Sequence, residues 1–158
     1  MQPGCRIVNT VSCTYAIGRI EPDFFEKGKN GRFFRIPVYG NTKLALLLFT
    51  QELAKRIQDK GITINASDPG IVSTNMITMQ AWFDPLTDIL FRPFIKTPAQ
   101  GAATAIHLAL SNEAKDKNGC CYANCKKRNV SERIRHHTQQ KQLWDDTEIL
   151  LQQKGIRF

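Results

Sequence analysis

Residues 39–74 read YGNTKLALLLFTQELAKRIQDKGITINASDPGIVST, and the change of period within them decides the fold. From Tyr39 onward, Leu44, Leu47, Leu48, Leu53 and Ala54 alternate with Lys43, Gln51, Glu52, Lys55 and Arg56 at helical spacing. That period predicts a helix ending before Gly61. Ile62 to Ala66 is then a short β-branched run stopped by Ser67, Asp68, Pro69 and Gly70, the pattern of a strand running into a turn. Upstream, Arg6 to Val11 reads as another short buried strand, bounded by Gly4 and by Ser12, Cys13 and Thr14. Strand, helix, strand predicts a parallel crossover unit, because strands that run the same way need a long connection between them.

Outward from this unit the chain is less regular. Glu21 to Pro37 is polar, charged and aromatic by turns, with Pro22, Gly28, Gly31 and Pro37 as breakers, and reads as a long loop. Trp82 to Ile95 is apolar and aromatic, broken by Pro85 and Pro93, and suits one or two short covering helices. Pro98, with its fixed φ, opens a helix through Ala99 to Leu110. A third strand is expected around Gly119 to Ala123, and a last helix over Gln139 to Gln153.

At 158 residues the chain fits one domain, long enough to bury a stable core. With 42% hydrophobic and 23% charged residues it is ordinary for a globular protein, which excludes disordered and fibrous classes. The formal net charge of +8 raises nucleic acid as a partner. Only Lys126, Lys127 and Arg128 form a tight basic run, however, and no nucleic-acid motif surrounds it, so a solvated basic surface is expected instead. No apolar stretch approaches a membrane span and no signal peptide is apparent, so the cytoplasm is the default location. Five cysteines, an odd number, argue for reduced thiols rather than a disulfide framework. Cys120, Cys121 and Cys125 with His136 and His137 lack the paired knuckles of a zinc site, so no metal is expected.

Tyr39 and Lys43 stand four residues apart, which on a helix puts the phenol and the ammonium on one face. A neighbouring ammonium favours the phenolate, lowering the tyrosine pKa toward the range useful for proton transfer. Tyr122 and Lys126 repeat the spacing, but in a Cys-rich, turn-like stretch with no helical period after it. The order of the surrounding pieces favours Tyr39: a strand ending at Ser12 precedes it, and a strand leading into Pro69-Gly70-Ile71-Val72-Ser73-Thr74 follows. Taken alone, Ser12 is better explained as a turn former and Pro69-Gly70 as an ordinary turn, while Trp82, Phe83, Phe91 and Phe94 are equally well explained as plain core.

Arg-Ile-Val-Asn ending in Ser12, Tyr39-x-x-x-Lys43, Gly61-Ile-Thr-Ile-Asn65 and Pro69-Gly-x-Val-x-Thr74, in this order, resemble the short-chain dehydrogenases/reductases, with the long segment between Ser12 and Tyr39 similar to retinol-dehydrogenase-like members. The resemblance implies an α/β fold: a partial Rossmann-type, doubly wound parallel sheet, the C-terminal half from the strand bearing the catalytic Ser onward. It implies Tyr39 as general acid/base, Lys43 as its pKa modifier and a ribose contact, and Ser12 as donor to the substrate oxygen. It also implies NAD or NADP as cofactor and hydride transfer between nicotinamide and a small-molecule carbonyl or alcohol. Tyr39, Lys43, Pro69, Gly70, Val72 and Thr74 would line the nicotinamide end, and residues 78–97 would cover the substrate.

The resemblance also marks what is expected and not found. The family's Gly-rich phosphate turn has no counterpart, since the ten glycines never form Gly-x-x-x-Gly-x-Gly, and its Asn-Asn-Ala-Gly segment is absent too. Residues 1–158 therefore read as a single partial domain, truncated and cofactor-deficient, with a sheet edge exposed where further strands would pair. The rival expectation is a non-catalytic interaction module that forms a homo-oligomer or docks on a full-length relative through that edge or through the Tyr39 helix.

Overall fold

The computed structural model describes residues 1–21, 24–25, 35–72 and 95–156. In chain order these form β1 (Arg6–Thr10), α1 (Arg35–Arg56), β2 (Thr63–Asp68), α2 (Pro98–Leu110), β3 (Cys121–Ala123), β4 (Lys126–Arg128), a short α3 (Glu132–Arg135) and α4 (Gln140–Gln153). The strands make one sheet in the order β1-β2-β3-β4. β1, β2 and β3 run parallel, with Ile7 opposite Ile64 and Ala66 opposite Cys121, while β4 returns antiparallel with Arg128 opposite Cys121.

Side chains alternate across a strand, so each residue's packing partner reveals what covers each face. Ile7, Ile64, Ala66 and Cys121 pack on the side that holds Leu44, Leu47, Leu48 and Ala54 of α1. Val8 and Tyr122, one position out of phase, pack instead with Leu108 of α2. Helices thus cover both faces, and the sheet is the partial doubly wound parallel arrangement implied by the motifs. Leu44, Leu47 and Leu48 are wholly buried, each contributing about 1.5–3 kcal/mol over an exposed side chain. Because both crossovers step the same way across the sheet with helices on opposite faces, they are of opposite hand, and one takes the rare left-handed route.

Three elements depart from the sequence expectation. α1 begins at Arg35, inside the segment read as loop, because Pro37 falls in its first turn, where the missing N–H breaks no helical hydrogen bond. β2 runs on through Ser67 and Asp68, turn formers by composition, which are both buried in the sheet. A β3–β4 hairpin closes through Asn124 and Cys125 at φ 51° and 58°, a left-handed pair that a Cys-rich stretch without glycine does not announce. α2 starts as expected and adds a capping box, with the Thr97 hydroxyl accepting from the Gln100 amide and the Gln100 side chain accepting from the Thr97 amide.

Residues 78–94, with Trp82, Phe83, Phe91 and Phe94, lie outside the described residues. At the end of that expected cover, Lys96 bridges to Val72 and Thr97 caps α2. All five cysteines are free. Among the described residues no helix is long and apolar enough to cross a membrane.

Candidate active site

β1 and β2 both end at the same edge of the sheet, where an open parallel sheet offers a binding crevice. After β1, the Val11 amide donates to the Ser67 carbonyl at 2.9 Å, and Ser12 then turns the chain as the N-cap of a short 3₁₀ helix, Cys13–Ile17. The Ser12 hydroxyl oxygen accepts from the Thr14 amide at 3.5 Å, a long contact, and among the described residues its proton has no acceptor. This is the geometry of the turn former expected of Ser12 taken alone.

Tyr39 sits in the second turn of α1 and is 36% exposed. One turn on, Lys43 Nζ lies 5.4 Å from the Tyr39 ring centroid and donates to the Thr10 carbonyl at 3.0 Å. The ammonium is therefore held between the end of β1 and the phenol ring, within cation–π range. The Ser12 turn and the Tyr39 turn meet through two glycines that the sequence reading passed over. A Cβ at Gly18 would overlap the Gly40 carbonyl and stand 2.8 Å from Leu44 Cβ, so only glycine permits this approach. The Arg19 amide donates to Asn41 Oδ1 at 2.8 Å and closes the same contact.

The other two tyrosines are weak proton donors, because burial raises the pKa of both. Tyr15 is buried, and burial first, then the Cys121 thiol beside it, pushes it up to about 12. Tyr122 is buried in β3 and raised by desolvation, and its strand partner is Lys127, so the repeated Tyr-x-x-x-Lys spacing spans a hairpin and not a helix face. Of the chain's three tyrosines, Tyr39 alone is substantially exposed.

After β2, Pro69 and Gly70 turn with Gly70 at φ 76°, a left-handed conformation that favours glycine. The Gly70 amide donates to Asp68 Oδ1 at 3.0 Å, and Lys96 Nζ donates to the Pro69 carbonyl at 2.8 Å. Val72 follows, bridged to Lys96 and set against Gly101 of α2. The structure thus brings Ser12, Tyr39, Lys43, Pro69, Gly70 and Val72 to one edge, whereas Thr74 lies outside the described residues. Asp68, Lys96 and Arg128 carried no sequence signal, since their meeting depends on strands far apart in the chain. A cavity of about 810 Å³ opens elsewhere, at the opposite ends of the strands around Arg6, Lys55, Gly61 and Asn118, away from Tyr39.

A family model described as short chain dehydrogenase matches residues 27–82. With the doubly wound sheet and the order of its parts, the chain belongs to the short chain dehydrogenases. Among its relatives, retinol dehydrogenase 12 of Mus musculus is 39% identical over 140 residues, 89% of this chain and 43% of that protein. Retinol dehydrogenase 14 of Homo sapiens is 34% identical, over 92% of this chain and 44% of that protein. A solved protein of Mycobacterium paratuberculosis superposes with a TM-score of 0.68 at 22% identity, covering 93% of this chain and 50% of that one. A short chain dehydrogenase from Burkholderia cenocepacia, solved in complex with NADP, gives 0.56 at 22% identity over 78% of this chain and 45% of that one. The chain spans somewhat under half the length of the curated relatives it matches.

Proposed function

We propose that this chain carries the proton-transfer and substrate-orienting end of a nicotinamide-dependent oxidoreductase that interconverts a carbonyl and an alcohol. The carrying observation is the Lys43 ammonium held 3.0 Å from the Thr10 carbonyl and against the face of Tyr39, next to the Ser12 turn. In reduction, the Tyr39 hydroxyl gives its proton to the substrate oxygen, and in oxidation it takes one back. Lys43 stabilises the negative charge that develops on the phenol oxygen. The Ser12 hydroxyl, whose proton has no acceptor among the described residues, donates to the same substrate oxygen and orients it.

The donor set at this edge, an ammonium, a phenol and a hydroxyl beside a Pro-Gly turn, fits the hydroxyl-rich ribose and the amide of a nicotinamide nucleotide. Tyr39, Lys43, Pro69, Gly70, Val72 and Thr74 would hold that end. When bound, NAD or NADP would supply or accept the hydride at the substrate carbon. Relatives named retinol dehydrogenases support an apolar alcohol or aldehyde as substrate.

Titration of NADH and NADPH into the pure chain, followed by nucleotide fluorescence, tests the reading. Saturable binding, weak for want of the Gly-rich phosphate turn and weaker still in Lys43→Ala, is the expected result, with any carbonyl reduction abolished in Tyr39→Phe. Absence of binding up to millimolar nucleotide would refute it for this chain.

One observation favours a second reading, an interaction module that pairs with its own copy or a full-length relative. Among the described residues β1 pairs on one side only, with β2, leaving its other edge open. Sedimentation of the pure chain as a monomer at all concentrations, with no co-purifying relative, would remove this reading.

A further inference from the structure

The Pro69 carbonyl and the Gly70 amide belong to one peptide group, and that group is held at both ends. Its oxygen accepts from Lys96 Nζ at 2.8 Å, and its N–H donates to Asp68 Oδ1 at 3.0 Å. Neither holder is free. Lys96 Nζ also donates to Asn124 Oδ1 at 2.6 Å, and Asp68 Oδ2 accepts from Arg128 Nη1 at 2.8 Å. Asn124 and Arg128 both lie on the β3–β4 hairpin, so two side chains of one hairpin reach the two ends of one peptide plane. Rotation of that plane, the motion by which a turn changes type, would break both contacts at once.

Arg128 also reaches the other turn of the edge. Its guanidinium carbon lies 5.9 Å from the Tyr15 ring centroid, and the Tyr15 amide donates to the Ser12 carbonyl at 2.9 Å. The Asp68 side chain is 2% exposed, whereas that of Arg128 is 44% exposed. A carboxylate so deeply buried is strongly disfavoured without its partner. Removing the guanidinium would therefore loosen the carboxylate that seats Gly70, rather than cancel a weak surface pair.

We propose that the β3–β4 hairpin fixes the orientation of the Pro69–Gly70 peptide, with Arg128 as the principal positioning residue. The consequence for nucleotide binding rests on the function proposed above, while the effect on the turn does not. Arg128 touches no reacting atom; it acts through Asp68 on the turn and through Tyr15 on the Ser12 segment.

The test is amide hydrogen exchange of the ¹⁵N-labelled chain by NMR, with NADPH titration beside it. Arg128→Gln should speed exchange at Gly70 about tenfold, the loss of one charge-assisted hydrogen bond. The Ala66 amide, bonded to the Cys120 carbonyl inside the sheet, should be unchanged. Arg128→Lys, which keeps the charge, should recover most of the protection. Asn124→Gly keeps the positive φ at that position and removes only the acceptor for Lys96, so it should loosen Gly70 without unfolding the hairpin. Equal acceleration at Gly70 and Ala66 in Arg128→Gln, or no change at Gly70 in either the Gln or the Gly variant, would overturn the proposal. Where the unaltered chain binds NADPH, Arg128→Gln should weaken binding about tenfold, as that lost bond implies. Where it binds none, the nucleotide reading fails and exchange at Gly70 still decides the positioning role.

Discussion

Replacing Gly18 by alanine separates close packing from backbone preference, because the two act with opposite sign there. Gly18 has φ −66° and ψ 155°, an extended conformation open to any residue. By backbone entropy alone, alanine at such a position stabilises a protein by about 0.4–1 kcal/mol, since the unfolded chain loses freedom. Against this, the new Cβ would overlap the Gly40 carbonyl and stand 2.8 Å from Leu44 Cβ, which is wholly buried and cannot retreat. Overpacking of this kind costs about 1–3 kcal/mol. The balance is a net destabilisation of about 1–2 kcal/mol, or a melting midpoint roughly 2–8 °C lower for a chain of this size. Differential scanning fluorimetry at neutral pH reads this directly. Gly40→Ala is the contrast: its Cβ would stand 3.0 Å from the Thr14 carbonyl, while the helix gains about 0.5–1 kcal/mol from losing a glycine, so its midpoint should move little. A midpoint for Gly18→Ala equal to or above that of the unaltered chain would mean that the Ser12 turn and the Tyr39 turn do not pack as described.

Ser12→Ala should lower kcat for carbonyl reduction by about 100-fold, the scale of one lost oxyanion donor, while the melting midpoint barely moves because the hydroxyl accepts only a 3.5 Å contact. A kcat within twofold of the starting value would remove Ser12 from the site. Tyr15 is pushed up to about 12 and Cys121 up to about 11, both chiefly by burial, so the fold favours their neutral forms. Stability from these two groups is complete below their ordinary values of 10.0 and 9.0 and is lost as pH rises toward about 12. Urea melts across pH 8 to 11 should show this decline, flattened in Cys121→Ser. Thr97→Ala breaks the capping box of α2 and should cost about 1 kcal/mol in a urea melt, with Thr97→Ser restoring most of it.

Local sequence was enough for the elements whose period is strong and whose neighbours lie close in the chain. The helical spacing of Leu44, Leu47 and Leu48, the β-branched run from Ile62 and the proline at residue 98 each dictate their element through side-chain shape and backbone restriction alone. Tyr39 and Lys43 were legible for the same reason, since one helical turn fixes their separation before any tertiary contact forms. What the chain could not announce was everything set by partners distant in sequence. Asp68 looks like a turn residue until Arg128, sixty positions later, arrives to neutralise it inside the sheet. Gly18 and Gly40 carry no local signal of their role, which arises only where two turns press together across them. Periodicity records which face of an element avoids water; only the tertiary structure decides which face meets which, and hence which polar groups can be buried because a distant charge or acceptor completes them.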